Sequence, residues 1–153
     1  MHRLSMSIVF ALVAQASSLD AQFLIQVDTA QIDSLGASLN AEWRRFGLLS
    51  FQAPISEVTR ARIVFQHNSA REGMAINDRL RFIATLRLES PGNPSLTEKL
   101  LREATGLKRQ SATLRDIVHG EGPGSTLDQL LGALADQALA LEASLGARAS
   151  AGI

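Results

Sequence analysis

Leu100, Ala104, Leu107, Ser111, Leu114 and Val118 recur at steps of 4, 3, 4, 3 and 4, and Leu127, Leu131, Leu134, Ala138, Leu141 and Leu145 repeat the same steps. No other feature narrows the fold as far. A 4-3 alternation keeps one face of a helix apolar over about five turns. Only residues 119–126, which open with HGEGPGS, separate the tips of the two runs. Two such stripes joined by so short a link bury each other by folding back. The spacing therefore predicts an antiparallel, coiled-coil-like hairpin, with helices near residues 96–118 and 126–146.

The three glycines of the link invite a comparison with phosphate-binding loops. A dinucleotide loop follows a strand and places glycines at its first, third and sixth positions. Here Gly120, Gly122 and Gly124 alternate, Ser125 holds the sixth position, and a helix precedes. A Walker-type loop ends in Gly-Lys-Ser/Thr, and no Lys lies near. The segment reads as a connector: Gly120 ends one helix in the left-handed conformation, Pro123 blocks continuation, and Ser125 with Asp128 starts the next.

The chain's 153 residues, 46% of them hydrophobic, suit one domain that folds by packing. The absence of Cys excludes disulfides, thiolate metal sites and cysteine nucleophiles. Fifteen basic and fifteen acidic side chains balance, which gives nucleic acid no general attraction. The charges are nevertheless uneven: residues 54–119 carry eleven basic and seven acidic groups, and residues 120–153 carry one and four. A basic middle and an acidic last helix can attract each other over the roughly 8 Å that physiological salt allows.

The first residues, MHRLSMSIVFALVAQASSLDAQF, carry Arg3, a mostly apolar run at 4–13 and the small-x-small triplet Ala14-Gln15-Ala16. That is the layout of a secretory signal peptide, cut after residue 16 or, at Ala21, after residue 21. The run is too short for a mature bilayer span, which needs about 20 apolar residues. The expectation is an exported protein, periplasmic or extracellular, with a membrane connection only through this signal. A single helical domain at 22–146 and a flexible tail at 147–153 complete the organisation.

Asp28 and Gln31 have capping-box spacing, and Ile32, Leu35, Leu39, Trp43 and Phe46 form one helical stripe, with Gly47 as its stop. Trp43 and Phe46 are core anchors of that helix. Residues 55–89 are ambiguous. Ser56 is a cap candidate, and Val58, Ala61 and Phe65 fit a helix. The polar QHNSAREG stretch then interrupts, and Gly73 permits a break. Leu80, Ile83 and Leu86 have helical spacing, whereas Leu80, Phe82, Ala84, Leu86 and Leu88 alternate as a strand does. The Leu, Ala and Arg content favours one or two helices. A short β-hairpin within 62–88 is the alternative. SPGNPS at 90–95 is a clear break, after which Ser95 and Glu98 form a second capping pair.

Sites of chemistry are sparse. His2, His67 and His119 lack zinc spacing, and His119 suits a helix C-terminus. His67, with Asn68, Arg71 and Glu72 beside it, is the one place where a small enzyme's site is conceivable. Glu98 with Glu103, and Asp128 with Asp136, read as solvated faces and not as acid–base pairs. LLREATGLKRQSATLRDIV has the outline of a DNA-binding helix-turn-helix, with Lys108, Arg109 and Arg115 on the second helix. Bulky Arg102 and an unbroken heptad through Gly106 oppose it. Ser111 stands inside a leucine seam, where it bonds its own helix or thins the seam for a partner.

DAQFLIQVD and LDQLLGALADQALALEA, near the two ends of the chain, resemble the minor-pilus and conjugal-transfer periplasmic proteins of type IV secretion systems. The resemblance implies a signal peptide, an elongated helical bundle and a non-enzymatic subunit that docks on pilus or channel components. FLIQVDTAQIDSLGASL is also similar to the opening of some phage tail proteins, which implies a structural protein of a virion.

The expectation is thus an all-α small helical bundle acting as a scaffold or adaptor, with no catalytic residue, metal or cofactor and no nucleic-acid partner. A protein partner or self-association would use the seam of Leu100, Leu107, Ser111, Leu114, Val118, Leu127, Leu131, Leu134, Leu141 and Leu145.

Overall fold

A computed structural model describes residues 29–52, 54–89 and 92–150. Among them are four helices and no strand: α1 (Thr29–Leu49), α2 (Glu57–Glu89), α3 (Pro94–Glu121) and α4 (Thr126–Ser150). Short connectors make sequence neighbours antiparallel. α1 packs on α2 and α4, and α3 packs on α2 and α4. α2 and α4 also meet across the centre, while α1 and α3 stand apart. The chain is therefore an all-α bundle with up-down-up-down topology. The proposed signal peptide and the Asp28 half of the first capping box lie outside the described residues.

The twelve residues of the two 4-3 runs are all buried, and they form the α3–α4 seam of the core. Each fully buried leucine contributes roughly 1.5–3 kcal/mol relative to exposure. The α1 stripe joins them through Ile32, Leu35, Leu39 and Phe46, with Trp43 half-buried against the core. Gly47 does not stop α1, which runs on to Leu49. The His67 ring lies against Gly47 instead, where an added side-chain carbon would come within 3.1 Å of it.

α2 corrects two expectations. It is one unbroken helix, so neither a break at Gly73 nor a β-hairpin within 62–88 exists. Its inward face is Ser69, Ala70, Gly73, Ile76, Asn77, Leu80, Ile83, Ala84 and Arg87, at steps of one and three. The polar stretch that looks like an interruption supplies small residues where neighbouring side chains press on the helix. A side-chain carbon on Gly73 would fall 2.9 Å from Leu131 Cδ2 and 3.4 Å from Leu39 Cδ2. The strand-like alternation at 80–88 fails at Phe82, which faces solvent with the Arg79 guanidinium 5.3 Å over its ring.

Helix starts follow local chemistry. Ser56 Oγ accepts the Thr59 N–H at 3.1 Å at the head of α2. α3 begins earlier than the Ser95–Glu98 pair implies. Asn93 is its cap, in an extended conformation, with Oδ1 accepting the Leu96 N–H at 3.1 Å. Pro94 follows at the first helical position, where the missing N–H costs nothing. At the other end α3 passes through Gly120 and stops at Glu121. The left-handed residue of the connector is Gly124, with φ of 78°, and not Gly120. α4 continues to Ser150, so residues 147–150, assigned to a flexible tail, are helical.

Candidate functional site

The seam divides evenly between two helices. Leu100, Leu107, Ser111, Leu114 and Val118 lie on α3, and Leu127, Leu131, Leu134, Leu141 and Leu145 on α4. All face one another or the rest of the core, at 8% exposure or less. Ser111 is fully buried, and its hydroxyl donates to the Lys108 carbonyl at 3.0 Å, within its own helix. The seam is thus occupied inside a single chain.

The α3–α4 connector is held by a carboxylate of its own. Asp128 Oδ2 accepts the Gly124 N–H at 2.9 Å and lies 2.9 Å from His119 Nδ1. Arg115 Nε approaches Oδ1 at 3.5 Å. Ser125 caps α4 by accepting the Asp128 N–H at 3.1 Å. Asp128 is therefore no solvated charge of the helix face: its side chain is 5% exposed. The hydrogen bond from His119, then that from Gly124, holds its carboxyl below the ordinary value. The position that an anion would take on a glycine loop is filled by this aspartate. Asp136 and Glu98 are exposed, and Glu103 pairs with Arg79.

The basic side chains of the supposed recognition helix meet α4. Lys108 pairs with Glu142 at 2.9 Å, and Thr105 donates to the same carboxylate at 2.9 Å. Lys108 keeps the Glu142 carboxyl low, against the opposing pull of burial. α3 also runs straight through Gly106, so the turn that a helix-turn-helix requires is absent and that reading falls. The basic middle and acidic last helix attract each other as their charges suggest.

His67 is a packing residue. Its ring stacks on Trp43, with centroids 5.4 Å apart and planes 18° apart, and its Nδ1–H donates to the Trp43 carbonyl at 2.9 Å. Asn68, Arg71 and Glu72 point to solvent around it. A shallow groove of about 290 Å³ lies elsewhere, between α1 and α4. Gln31, Ser34, Leu35, Ser38, Leu130, Ala133 and Gln137 line it, so no titratable group faces it. Gln137 closes it by donating to Gln31 at 2.8 Å.

The surface feature that stands out is the end of the bundle formed by the α1–α2 turn. The α3–α4 connector reaches only to the level of Gln66, whose Nε2 would lie 4.0 Å from a side-chain carbon at Gly122. The nine residues of α2 before Gln66 rise about 14 Å further, at 1.5 Å each. The last turn of α1, the connector and this first part of α2 form a projecting tip. On it Leu48, Phe51 and Val58 are 73%, 85% and 72% exposed. Arg44, Arg60 and Arg62 are exposed on the same stretch of chain, with one acid, Glu57, beside Val58, and Arg60 donates to the Ser50 carbonyl across the turn.

Buried polar residues are what the spacing did not reveal. Asn77 donates to the Ile32 carbonyl at 2.9 Å, and Gly36 provides the room: a side-chain carbon there would meet Asn77 Nδ2 at 2.8 Å. Arg87 is buried in the last turn of α2 and donates to Ser144 Oγ at 3.1 Å. Their register with Leu80 and Ile83 was the available signal. Among the described residues no three His, Asp or Glu side chains gather as metal ligands, and no helix is long and apolar enough to cross a membrane. Comparison of the chain with family models, curated proteins and solved structures gave no match.

Proposed function

We propose that this chain is an exported, non-enzymatic helical scaffold that docks a protein partner through helix ends, as a subunit of an envelope assembly such as a type IV secretion or conjugation apparatus. The observation that carries this reading is the projecting α1–α2 tip. It places Leu48, Phe51 and Val58 in water while the apolar stripes of all four helices are spent on the internal core. Large apolar side chains at a protruding end, on a stretch where exposed arginines outnumber acids, are what a partner's apolar pocket with an acidic rim would cover. The likeness of both chain ends to periplasmic transfer proteins supports the same reading.

Two measurements test it. The mass of the protein recovered from its native compartment should correspond to loss of 16 or 21 residues. A photocrosslinking residue in place of Phe51 should capture one discrete protein in living cells, and the same residue at exposed Thr113 on α3 should not. An intact N-terminus in the cytoplasm contradicts export. Equal capture from both positions, or none from Phe51, contradicts docking at the tip.

A further inference from the structure

The α1–α4 groove and the α1–α2 tip have opposite shapes and opposite charge. The groove measures about 290 Å³, and Leu35, Leu130 and Ala133 are its apolar lining. No titratable group faces into it, but Asp136 stands exposed on the outer face of α4, one turn from Ala133 and so at the rim. The α1 side of the rim is low. Ser34, Ala37 and Ala41 are the exposed residues there, and none has a long side chain to hold another molecule off.

The tip is the complement. Leu48, Phe51 and Val58 stand in water, on a stretch where Arg44, Arg60 and Arg62 outnumber the one acid Glu57. Because it projects, it can reach the flank of another molecule. A cavity of about 150 Å³ is enough to hold a benzene ring. The groove therefore has room for the Phe51 ring and a second apolar side chain. The two features cannot meet inside one molecule: Ser38 in the groove and Leu49 below the tip are held about 17 Å apart by rigid helix, at 1.5 Å per residue.

We propose that the tip of one copy docks in the α1–α4 groove of a second copy, with Phe51 against Leu35 and Leu130 and the tip arginines beside Asp136. The inference rests on the tip as a docking element and names its partner. Charge of opposite sign sets the orientation, and apolar burial supplies the attraction. The contact joins two different surfaces, so each added copy leaves one tip and one groove free, and the assembly grows as an open chain. Its area is small beside that of stable complexes, so covalent trapping reads it better than mass in dilute solution.

The sequence has no cysteine, so thiols can be placed at will. In the full chain, Gln52→Cys puts one beside Phe51, and Ser38→Cys puts one in the groove with little change of volume. Under a thiol oxidant the double variant should form a ladder of dimers, trimers and higher species. An equal mixture of the two single variants should give heterodimers in excess of either homodimer. Adding Phe51→Ser or Asp136→Arg to the double variant should cut the ladder by roughly tenfold, through a lost anchor or a reversed charge. Both positions are exposed, so the fold survives either change. A ladder no stronger than that of Gln52→Cys with Thr113→Cys, on the outer face of α3, overturns the proposal and is the result expected if anything else fills the groove. A ladder that survives Phe51→Ser or Asp136→Arg overturns it as well. Capture of a different protein at Phe51 would then leave tip docking standing with another partner, whereas no capture there removes both.

Discussion

Single residues in this protein act through what they leave out as much as through what they supply. Gly73 lacks the carbon that would meet Leu131 and Leu39, so α2 reaches the centre of the bundle. Gly73→Val should cost about 1–3 kcal/mol, read from chemical denaturation, because the added methyls have to displace two core leucines. Asp128 acts in the opposite way, by filling the connector with its own negative charge. Its carboxyl titrates below the ordinary range in the folded chain. The stability it adds is therefore complete above the unfolded value, about 3.9, and disappears as pH falls through the lower folded value. Asp128→Asn should lower Tm at pH 7, and the gap to the parent should close in strong acid. A gap that persists at pH 2 would mean the amide fails for shape and not for charge.

At the scale of elements, the α3–α4 hairpin was legible because its stripe is made of large apolar residues at regular steps. Leu134, fully buried at the middle of the α4 stripe, gives the corresponding test: Leu134→Ala should cost about 2–5 kcal/mol in equilibrium unfolding. α2 was not legible in the same way. Four of the nine residues of its inward face are Ser69, Gly73, Asn77 and Arg87, none of which a hydrophobic pattern counts. Small residues are buried there because the neighbouring helices bring Leu39 and Leu131 up to them, and that partner lies outside the α2 segment. Phe82 misled in the other direction, since an exposed phenylalanine covered by Arg79 mimics the second member of a strand. Cap choice was a closer contest. Asn93 and Ser95 both have the right chemistry, and Pro94 tips the start toward Asn93 because its ring is preset for the first helical position.

For the molecule as a whole, closure of the bundle redefines which surfaces remain for other molecules. The seam that looked like a meeting face is internal, so substitutions in it should unfold the chain and not merely release a partner. The α1–α2 tip is the converse case. Leu48→Ser with Phe51→Ser should change stability by no more than about 0.5 kcal/mol per site, because neither side chain is packed, and should abolish crosslinking at Val58. Loss of fold in that double variant would show that the tip is part of the core.

The sequence by itself determined the helical class, the α3–α4 pairing, the start of α2 at Ser56 and the charge attraction between the last two helices. All of these depend on residues close in the chain or on the periodicity of one element. Tertiary structure alone decided that α2 is continuous, that Asn77 and Arg87 are buried, that Asp128 closes the glycine connector, and that Leu48, Phe51 and Val58 stay in water at one tip. Each of those outcomes depends on which side chain arrives from another helix, and periodicity along a single helix carries no record of what will pack against it.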